Sequence, residues 1–352
     1  MNPTLQPPFA FAAKEIMKRE KAQPHPRRSM AVISEKPRLV TVFGGSGFVG
    51  RYVVQALARR GYRVRVACRN PHTAIHVNTL GNMGQVHAIQ ANVRYRWSVD
   101  RAVEGVDHVI NLVGILHETG KQRFEAVQSL GARAVAEAAR AAGAGLTQAS
   151  AIGADPDSPG AYGRTKAEGE QAALETVKNA VVIRPSIIFG PEDKFFNRFA
   201  NMARFSPVLP LLGGGHTKFQ PVYVGDVAEA YARTVDGQLK GGAIYELGGP
   251  QVLTFRQCME EMLEVIDRKR SFVSIPWPIA RLQGRIFGLL PKPLLTLDQV
   301  RMLEVDNVVS EEAKRRGLTL EGLGIPRHSL AAILPTYLWT YRPSGQFTMP
   351  QM

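Results

Sequence analysis

The chain has few cysteines, no long apolar run and no acidic excess, and each shortage excludes a class of protein. Its two cysteines, Cys68 and Cys258, cannot form a disulfide framework or a four-thiolate metal site. The longest apolar stretch, residues 275–297, contains Arg281, Arg285 and four prolines, so it cannot cross a membrane as one helix. The 352 residues are 45% hydrophobic and 21% charged, which is the composition of a globular protein.

Positive charge is in excess, with a formal net charge of +14 at pH 7. Such an excess favours acidic partners, for example nucleotides, anionic lipids or acidic protein surfaces. The basic residues are spread along the chain and form no basic tail, so we expect no nucleic-acid partner. His72 and His76 are four residues apart, but no third ligand accompanies them, so we predict no metal site.

Four regions are predicted from the pattern of prolines and apolar residues. Residues 1–36 contain five prolines and no strand pattern, which predicts a flexible N-terminal extension. This extension has no apolar core of a secretory signal, and its acidic residues fit a mitochondrial presequence poorly. We predict that residues 37–190 form the first folded region. Residues 191–345 should form a smaller C-terminal lobe that also contributes strands to the sheet, and residues 346–352 should form a tail.

Short apolar runs alternate with amphipathic segments from residue 38 onward. The predicted strands are 38–43, 62–67, 86–91, 107–113, 145–150 and 180–183, and the predicted helices include 48–60, 124–142 and 161–177. Strands and helices that alternate at this spacing require right-handed crossovers and a parallel sheet covered on both faces. We therefore predict an α/β, doubly wound Rossmann fold. In the lobe, we predict helices at 225–235 and 254–268 and strands at 243–247 and 272–275.

A glycine-rich turn follows the first predicted strand and opens the first predicted helix. Gly44, Gly47 and Gly50 form a G-x-x-G-x-x-G pattern, in which glycines permit a tight turn, close approach of a pyrophosphate and packing of helix on strand. The helix start offers free N–H groups and a partial positive charge to the anion. The sequence therefore predicts a dinucleotide site that also includes Ser46, Phe48 and Val49, and Val113 at the end of the fourth predicted strand.

The end of the second predicted strand indicates which dinucleotide is bound. An acidic residue there would bind the ribose 2′-hydroxyl of NAD, whereas an arginine would bind the 2′-phosphate of NADP. Residues 66–70 contain no acid, and Arg69 lies at the phosphate position. We therefore expect NADP(H) as the preferred cofactor, with NAD(H) as the alternative.

Three further residues form a candidate catalytic group. Ser150 ends the fifth predicted strand, and Tyr162 and Lys166 lie four residues apart on one face of the next predicted helix. A lysine cation and an oxidised nicotinamide lower the pKa of a phenol, which can then exchange a proton with a carbonyl while hydride moves. The alternative is that Tyr162 and Lys166 only bind the nicotinamide ribose.

These features together resemble the extended or atypical branch of the short-chain dehydrogenase/reductase superfamily. The chain is more specifically similar to the NAD(P)H-binding accessory subunits of respiratory complex I, NADH:ubiquinone oxidoreductase. The segments that carry this resemblance are 153–158, 184–199, 219–228 and 333–343. The resemblance implies a tightly held, structural NADPH and a place on the peripheral arm beside the membrane. We therefore expect a peripheral protein of the inner membrane, at the cytoplasmic face in a bacterium or at the matrix face in a mitochondrion. The alternative expectation is a cytoplasmic protein.

The resemblance also implies roles for individual residues. The three glycines would hold the pyrophosphate, Arg69 the 2′-phosphate, and Tyr162 and Lys166 the ribose. The backbone of residues 185–188, including Pro185 and Ile188, would contact the nicotinamide end. Asn92 replaces an aspartate that the superfamily often has near the adenine.

Three functions remain open from the sequence. The first is the accessory or assembly subunit of complex I, bound to peripheral-arm subunits. The second is an NADP-dependent reductase or epimerase that uses Tyr162 as acid/base, and the third is a nucleotide-gated redox sensor. Residues 277–287 are apolar and cationic in alternation, which predicts either contact with anionic lipid or an ordinary lobe helix.

Overall fold

The computed structural model describes residues 38–288 and 295–344. The predicted extension 1–36 and tail 346–352 lie outside the described residues.

Thirteen strands are found in the described residues, and seven of them form one sheet. In chain order the strands are Leu39–Phe43 (β1), Arg63–Cys68 (β2), Val86–Gln90 (β3), His108–Asn111 (β4), Gly145–Ala149 (β5), Val181–Pro185 (β6), Ile188–Phe189 (β7), Val208–Leu212 (β8), Lys218–Phe219 (β9), Val222–Tyr223 (β10), Ala243–Leu247 (β11), Leu253–Thr254 (β12) and Ser271–Ile275 (β13). The large sheet has the order β3-β2-β1-β4-β5-β6-β11, and all its neighbours are parallel. This order confirms the predicted doubly wound α/β fold, with a switch point between β1 and β4.

Helices cover both faces of the sheet and build the lobe. They are Phe48–Arg59 (α1), Arg96–Val103 (α2), Leu130–Ala141 (α3), Ala161–Thr176 (α4), Phe196–Phe205 (α5), Val224–Val235 (α6), Phe255–Val265 (α7), Trp277–Phe287 (α8), Leu297–Leu303 (α9), Glu311–Arg315 (α10), Leu330–Ile333 (α11) and Pro335–Leu338 (α12). One buried cluster joins α1 and α6 to the sheet, and a second joins α2, α3 and α4 to its other face. A third cluster forms the core of the lobe around α5 and α7.

Two predicted elements differ from the structure in informative ways. The predicted helix 124–142 begins with a π-helical turn, Glu125–Ser129, before it continues as α3. The predicted strand 180–183 extends to Pro185, because β11 pairs with it as far as that residue. At the start of α7, Thr254 and Gln257 form the capping box that their spacing predicts.

A buried carboxylate ties the end of the lobe to the loop after β7. Asp193 is 3% exposed and accepts hydrogen bonds from Gly190 N and Asn197 N, both at 3.2 Å, and from the Tyr337 hydroxyl at 2.6 Å. The Tyr341 hydroxyl donates to Asn197 Oδ1 at 2.9 Å. Burial raises the pKa of Asp193, while these donors act in the opposite direction.

We expect Tyr337→Phe to lower the free energy of unfolding at pH 7 by about 1–3 kcal/mol, because a buried carboxylate loses a donor. The loss should shrink as the pH falls through the raised pKa of Asp193, since the protonated acid needs the donor less. Denaturant unfolding between pH 4 and pH 8 measures both effects. In the control Tyr341→Phe, which removes a donor to a neutral amide, the loss should not vary with pH. A pH-independent loss for Tyr337→Phe would contradict this account.

Candidate functional site

Two glycines allow α1 to start directly against the end of β1. Gly44 adopts a left-handed backbone with φ of +78°, and its N–H donates to Ala67 O on β2 at 3.1 Å. A Cβ on Gly50 would lie 2.3 Å from Gly44 O, so any larger residue there would displace the helix. The structure therefore supports the predicted role of these glycines in turning and packing the chain.

The start of α1 has the features that an anion site requires. Its cap is Gly47, no side chain bonds to its first N–H groups, and its first turn contains no acidic residue. Ser46 precedes the cap, while Phe48 and Val49 are half-buried in the first turn. Free N–H groups and the positive end of the helix dipole therefore face the carboxyl edge of the sheet.

Arg69 and Asn92 lie at the carboxyl edge of the sheet, after the neighbouring strands β2 and β3. Arg69 follows β2, is exposed, and makes no hydrogen bond or ion pair with another residue in the described ranges. Asn92 follows β3, and its Oδ1 accepts a hydrogen bond from Arg94 N at 3.2 Å. The strand ends are joined by Ala91 N, which donates to Cys68 O at 2.9 Å. The guanidinium of Arg69 is therefore available to a phosphate.

The loop after β4 passes close to Lys166. The fourth strand ends at Asn111 and not at Val113 as predicted. Val113 N donates a hydrogen bond to Asn111 Oδ1 at 3.2 Å, and the backbone turns back at this point. At the next residue, a Cβ on Gly114 would lie 3.0 Å from Lys166 Nζ. Val113 is therefore placed at the sheet edge beside the candidate ribose site.

Ser150, Tyr162 and Lys166 come together at the end of β5. Ser150 is 6% exposed, and its Oγ is buried without a hydrogen-bond partner among the described residues. Lys166 is also buried, with its Nζ 3.4 Å from Ala149 O and 6.0 Å from the centre of the Tyr162 ring. The Tyr162 ring contacts Phe124 edge to face, with centroids 5.9 Å apart. A buried hydroxyl without a partner fits a site that a polar ligand completes.

Burial shifts both ionisable groups toward their neutral forms. It raises the pKa of the Tyr162 phenol to about 12. It lowers the pKa of Lys166 to about 8, and the nearby Glu170 carboxylate opposes this shift. In the nucleotide-free chain the phenol is therefore protonated, and the predicted lowering of its pKa would require the charge of a bound oxidised nicotinamide.

Gln128, which was not predicted from the sequence, lies near Lys166: a Cβ on Gly114 would be 3.0 Å from Lys166 Nζ and 4.0 Å from Gln128 Oε1. It is 2% exposed, its Nε2 donates to Ile115 O at 3.3 Å, and its Oε1 is a second buried atom without a partner in the described residues. It lies in the π-helical turn, a feature frequent at functional sites. The signal in the sequence was that Gln128 is the single amide side chain in the predicted helix 124–142.

Pro185 and Ile188 lie at and just after the carboxyl end of β6, the strand that pairs with β5. Pro185 ends β6, and its carbonyl accepts from Ile152 N at 3.1 Å, while half-buried Ile188 begins β7. Between them, the Ser186 hydroxyl bonds to Asn307 Oδ1 at 2.7 Å. The lobe therefore fixes the backbone that was predicted to contact the nicotinamide end.

His72 and His76 are exposed in the 3₁₀ segment Pro71–Leu80, and no cluster of three potential ligands is found within 38–288 and 295–344.

Comparison with known proteins identifies the family to which this geometry belongs. The NAD dependent epimerase/dehydratase family matches residues 40–248, which contain the glycine turn and the Tyr162 helix. The crystal structure of NADPH-dependent quinone oxidoreductase QOR2 from Escherichia coli, complexed with NADPH, is similar in fold. Its TM-score is 0.65 over 83% of this chain and 97% of that chain, and its sequence identity is 20%.

Two curated relatives cover most of the chain. The mitochondrial NADH dehydrogenase [ubiquinone] 1 alpha subcomplex subunit 9 of Arabidopsis thaliana is 35% identical over 87% of this chain and 79% of its own length. A ceramide reductase of Caulobacter vibrioides is 30% identical over 68% of this chain and 74% of its own length. The resemblance found in the sequence is confirmed: the chain belongs to the NAD dependent epimerase/dehydratase family and, within it, to the NAD(P)H-binding accessory subunits of respiratory complex I.

Proposed function

We propose that the protein is an NADPH-binding, largely non-catalytic accessory or assembly subunit of respiratory complex I, at the membrane-proximal part of the peripheral arm. The observation that carries this proposal is the similarity to the Arabidopsis subunit over 87% of this chain. The dinucleotide cradle formed by the glycine turn supports the nucleotide part.

The residues present fit a nicotinamide dinucleotide at the carboxyl edge of the sheet. The start of α1 would bind the pyrophosphate, and Tyr162 and Lys166 the nicotinamide ribose. The Ser150 hydroxyl and Gln128 Oε1, both buried without partners in the described chain, would gain polar contacts. Bound ligand stabilises the folded state, by about 4 kcal/mol when its free concentration is ~1,000 times the dissociation constant.

NADP(H) is the form that the end of β2 favours. Arg69 is exposed with no acidic partner in the described residues, so its guanidinium can pair with the 2′-phosphate. No acidic residue at 66–70 is present to bind an unphosphorylated ribose.

Tyr162 and Lys166 are placed to contact the nicotinamide ribose, with Lys166 Nζ 6.0 Å from the centre of the Tyr162 ring. Burial raises the phenol pKa to about 12 in the nucleotide-free protein. A bound nicotinamide would supply hydride transfer, and the charge of its oxidised ring would lower this pKa. The structural role of the nucleotide is inferred from the similarity to the complex I subunit.

An exposed face of the lobe suits a lipid surface. Ile279, Leu282 and Ile286 lie on one stripe of α8 and are 51%, 57% and 56% exposed, beside exposed Arg285. In the described residues no helix is long and apolar enough to cross a membrane. We therefore propose peripheral attachment to anionic lipid of the inner membrane, at the cytoplasmic face in a bacterium or the matrix face in a mitochondrion.

A reductase is the second candidate function. Ser150, Tyr162 and Lys166 are all present at one site, and the Caulobacter relative is a reductase. Steady NADPH oxidation with a carbonyl compound, abolished in Tyr162→Phe, would establish this function.

The experiment that tests the proposed function is purification of the tagged protein from its native membranes in mild detergent. On a native gel the protein should migrate with NADH dehydrogenase activity. Migration only as a free monomer, with no loss of that activity on gene deletion, would refute the accessory role.

Replacing Arg69 should convert the nucleotide preference. We expect Arg69→Ser to weaken NADPH binding by roughly 10–100-fold and to leave NADH binding unchanged, because a charge-assisted phosphate contact is lost. Calorimetry with both nucleotides measures this. Arg63→Ser, which removes an exposed arginine at the start of the same strand, is the control and should change neither affinity. Equal weakening of both nucleotides would disprove the assignment.

Replacing Lys166 should stabilise the nucleotide-free protein while it weakens nucleotide binding. Burial lowers the pKa of Lys166 from 10.5 to about 8 in the folded protein. The buried charge therefore destabilises the folded state fully below pH 8, and this destabilisation is gone above pH 10.5. We expect Lys166→Met to raise the free energy of unfolding by on the order of 2 kcal/mol at pH 7. This gain should fade between pH 8 and 10.5.

Thermal and denaturant unfolding between pH 7 and 10.5 check this expectation. Lys178→Met removes an exposed lysine after α4 and should show no such trend. A loss of stability at pH 7 in Lys166→Met would show that the lysine is not penalised by burial.

Removing the apolar stripe of α8 should release the protein from membranes. We expect Ile279→Ser, Leu282→Ser and Ile286→Ser together to lower co-sedimentation with phosphatidylglycerol-rich vesicles at least tenfold, because exposed apolar area is lost. The matched control replaces three exposed apolar residues elsewhere, Ile75, Phe205 and Val252, by serine. Equal effects in the two triple variants, or no binding by the wild type, would exclude α8 as the lipid contact.

A further inference from the structure

The helix that carries Tyr162 and Lys166 has no cap from its own sequence. Its cap residue is Gly160, in an extended conformation, which has no side chain to accept hydrogen bonds. The first N–H groups of any helix lack partners within the helix. The start of α4 therefore depends on acceptors from another part of the chain.

Asp298 of α9, which is 137 residues after Ala161 in the sequence, supplies these acceptors. Its Oδ1 accepts from Ala161 N at 2.8 Å and its Oδ2 from Tyr162 N at 2.9 Å. A Cβ on Gly160 would lie 3.1 Å from Oδ1, so the glycine allows the close approach. A carboxylate is favourable at a helix start, and one of its two bonds goes to the Tyr162 backbone. The carboxylate thus fixes the point from which the phenol projects.

Neighbours of Asp298 hold α9 across the same end of the site. Arg301 Nη1 donates to Pro159 O at 2.9 Å, just before α4. Gln299 Nε2 donates to Leu116 O at 3.4 Å, in the loop after β4 that also passes Lys166. The helix therefore connects the two chain segments that flank the nicotinamide end.

Helix α9 is itself seated on α8. Gly284 of α8 permits the contact, because a Cβ there would lie 2.9 Å from Leu297 N. Arg281 of α8 binds both carboxylate oxygens of Glu304, at 2.7 and 3.0 Å. The two helices form one unit, with an exposed apolar stripe on the outside and Asp298 against the Tyr162 helix on the inside.

We propose that Asp298 is a positioning residue for the nicotinamide half of the dinucleotide site, and that this half forms only when the α8–α9 pair is seated. The adenine half, formed by the start of α1 and by Arg69, is built on β1 and β2 and has no hydrogen bond to Asp298 in the described residues. The inference rests on the proposed nucleotide binding. Seating of the α8–α9 pair therefore controls the nicotinamide half of the site and not the adenine half.

The test compares a whole dinucleotide with its adenine half. The full-length protein is titrated calorimetrically with NADPH and with adenosine 2′,5′-bisphosphate. We expect Asp298→Ala to weaken NADPH binding roughly tenfold, as for a lost helix cap, and to leave binding of the bisphosphate unchanged. Asp298→Asn keeps one carbonyl acceptor and should give an intermediate loss. If Asp298→Ala does not fold, Asp298→Asn provides the same comparison.

Asp306→Ala is the matched control. Asp306 lies in the same lobe and its Oδ1 also accepts from a backbone N–H, that of Lys218 at 2.8 Å, so its removal should change neither affinity. Equal weakening of both ligands in the Asp298 variants, or no weakening of NADPH, would overturn the inference alone. Failure of the wild type to bind either ligand would instead overturn the proposed nucleotide binding, and the inference with it.

Discussion

The site depends on how closely the first turn of α1 approaches the end of β1. This approach requires a left-handed Gly44 and no side chain at position 50, where a Cβ would lie 2.3 Å from a carbonyl oxygen. Because the helix starts at the sheet edge, its unpaired N–H groups point toward the place where the strand order reverses. Arg69 and Ser150, at the ends of β2 and β5, are arranged around that point.

The two halves of the proposed dinucleotide site are built differently. The adenine half comes from one continuous strand–helix–strand unit, whereas the nicotinamide half is assembled from β5, α4, the π-helical turn and segments of the lobe. Asp298 and Asn307 reach this half from more than 100 residues away in sequence. The nicotinamide half also holds two buried polar atoms without partners in the described chain and a phenol whose pKa is raised to about 12. These properties suit a site that a polar ligand completes.

The sequence predicted the features that local patterns encode. The glycine turn, the parallel sheet and the Tyr162–Lys166 face follow from spacings of three to four residues and from alternation of strands and helices. Gln128 was missed because a π-helical turn leaves no periodic signal. Asp298 was missed because a carboxylate that caps a distant helix has no pattern around it. The fall in the pKa of Tyr162 is predicted for a site with an oxidised nicotinamide bound, whereas in the nucleotide-free chain burial, which only the tertiary structure reveals, raises it.

We propose that the cradle formed by β1, α1 and Arg69 holds a phosphorylated dinucleotide as part of the folded protein. To test this, protein purified from its native membranes is denatured, and the released small molecules are identified by chromatography and mass spectrometry. We expect NADP(H) in a near one-to-one ratio with the chain. Absence of any dinucleotide, together with no heat on titration of the purified protein with NADPH, would contradict it.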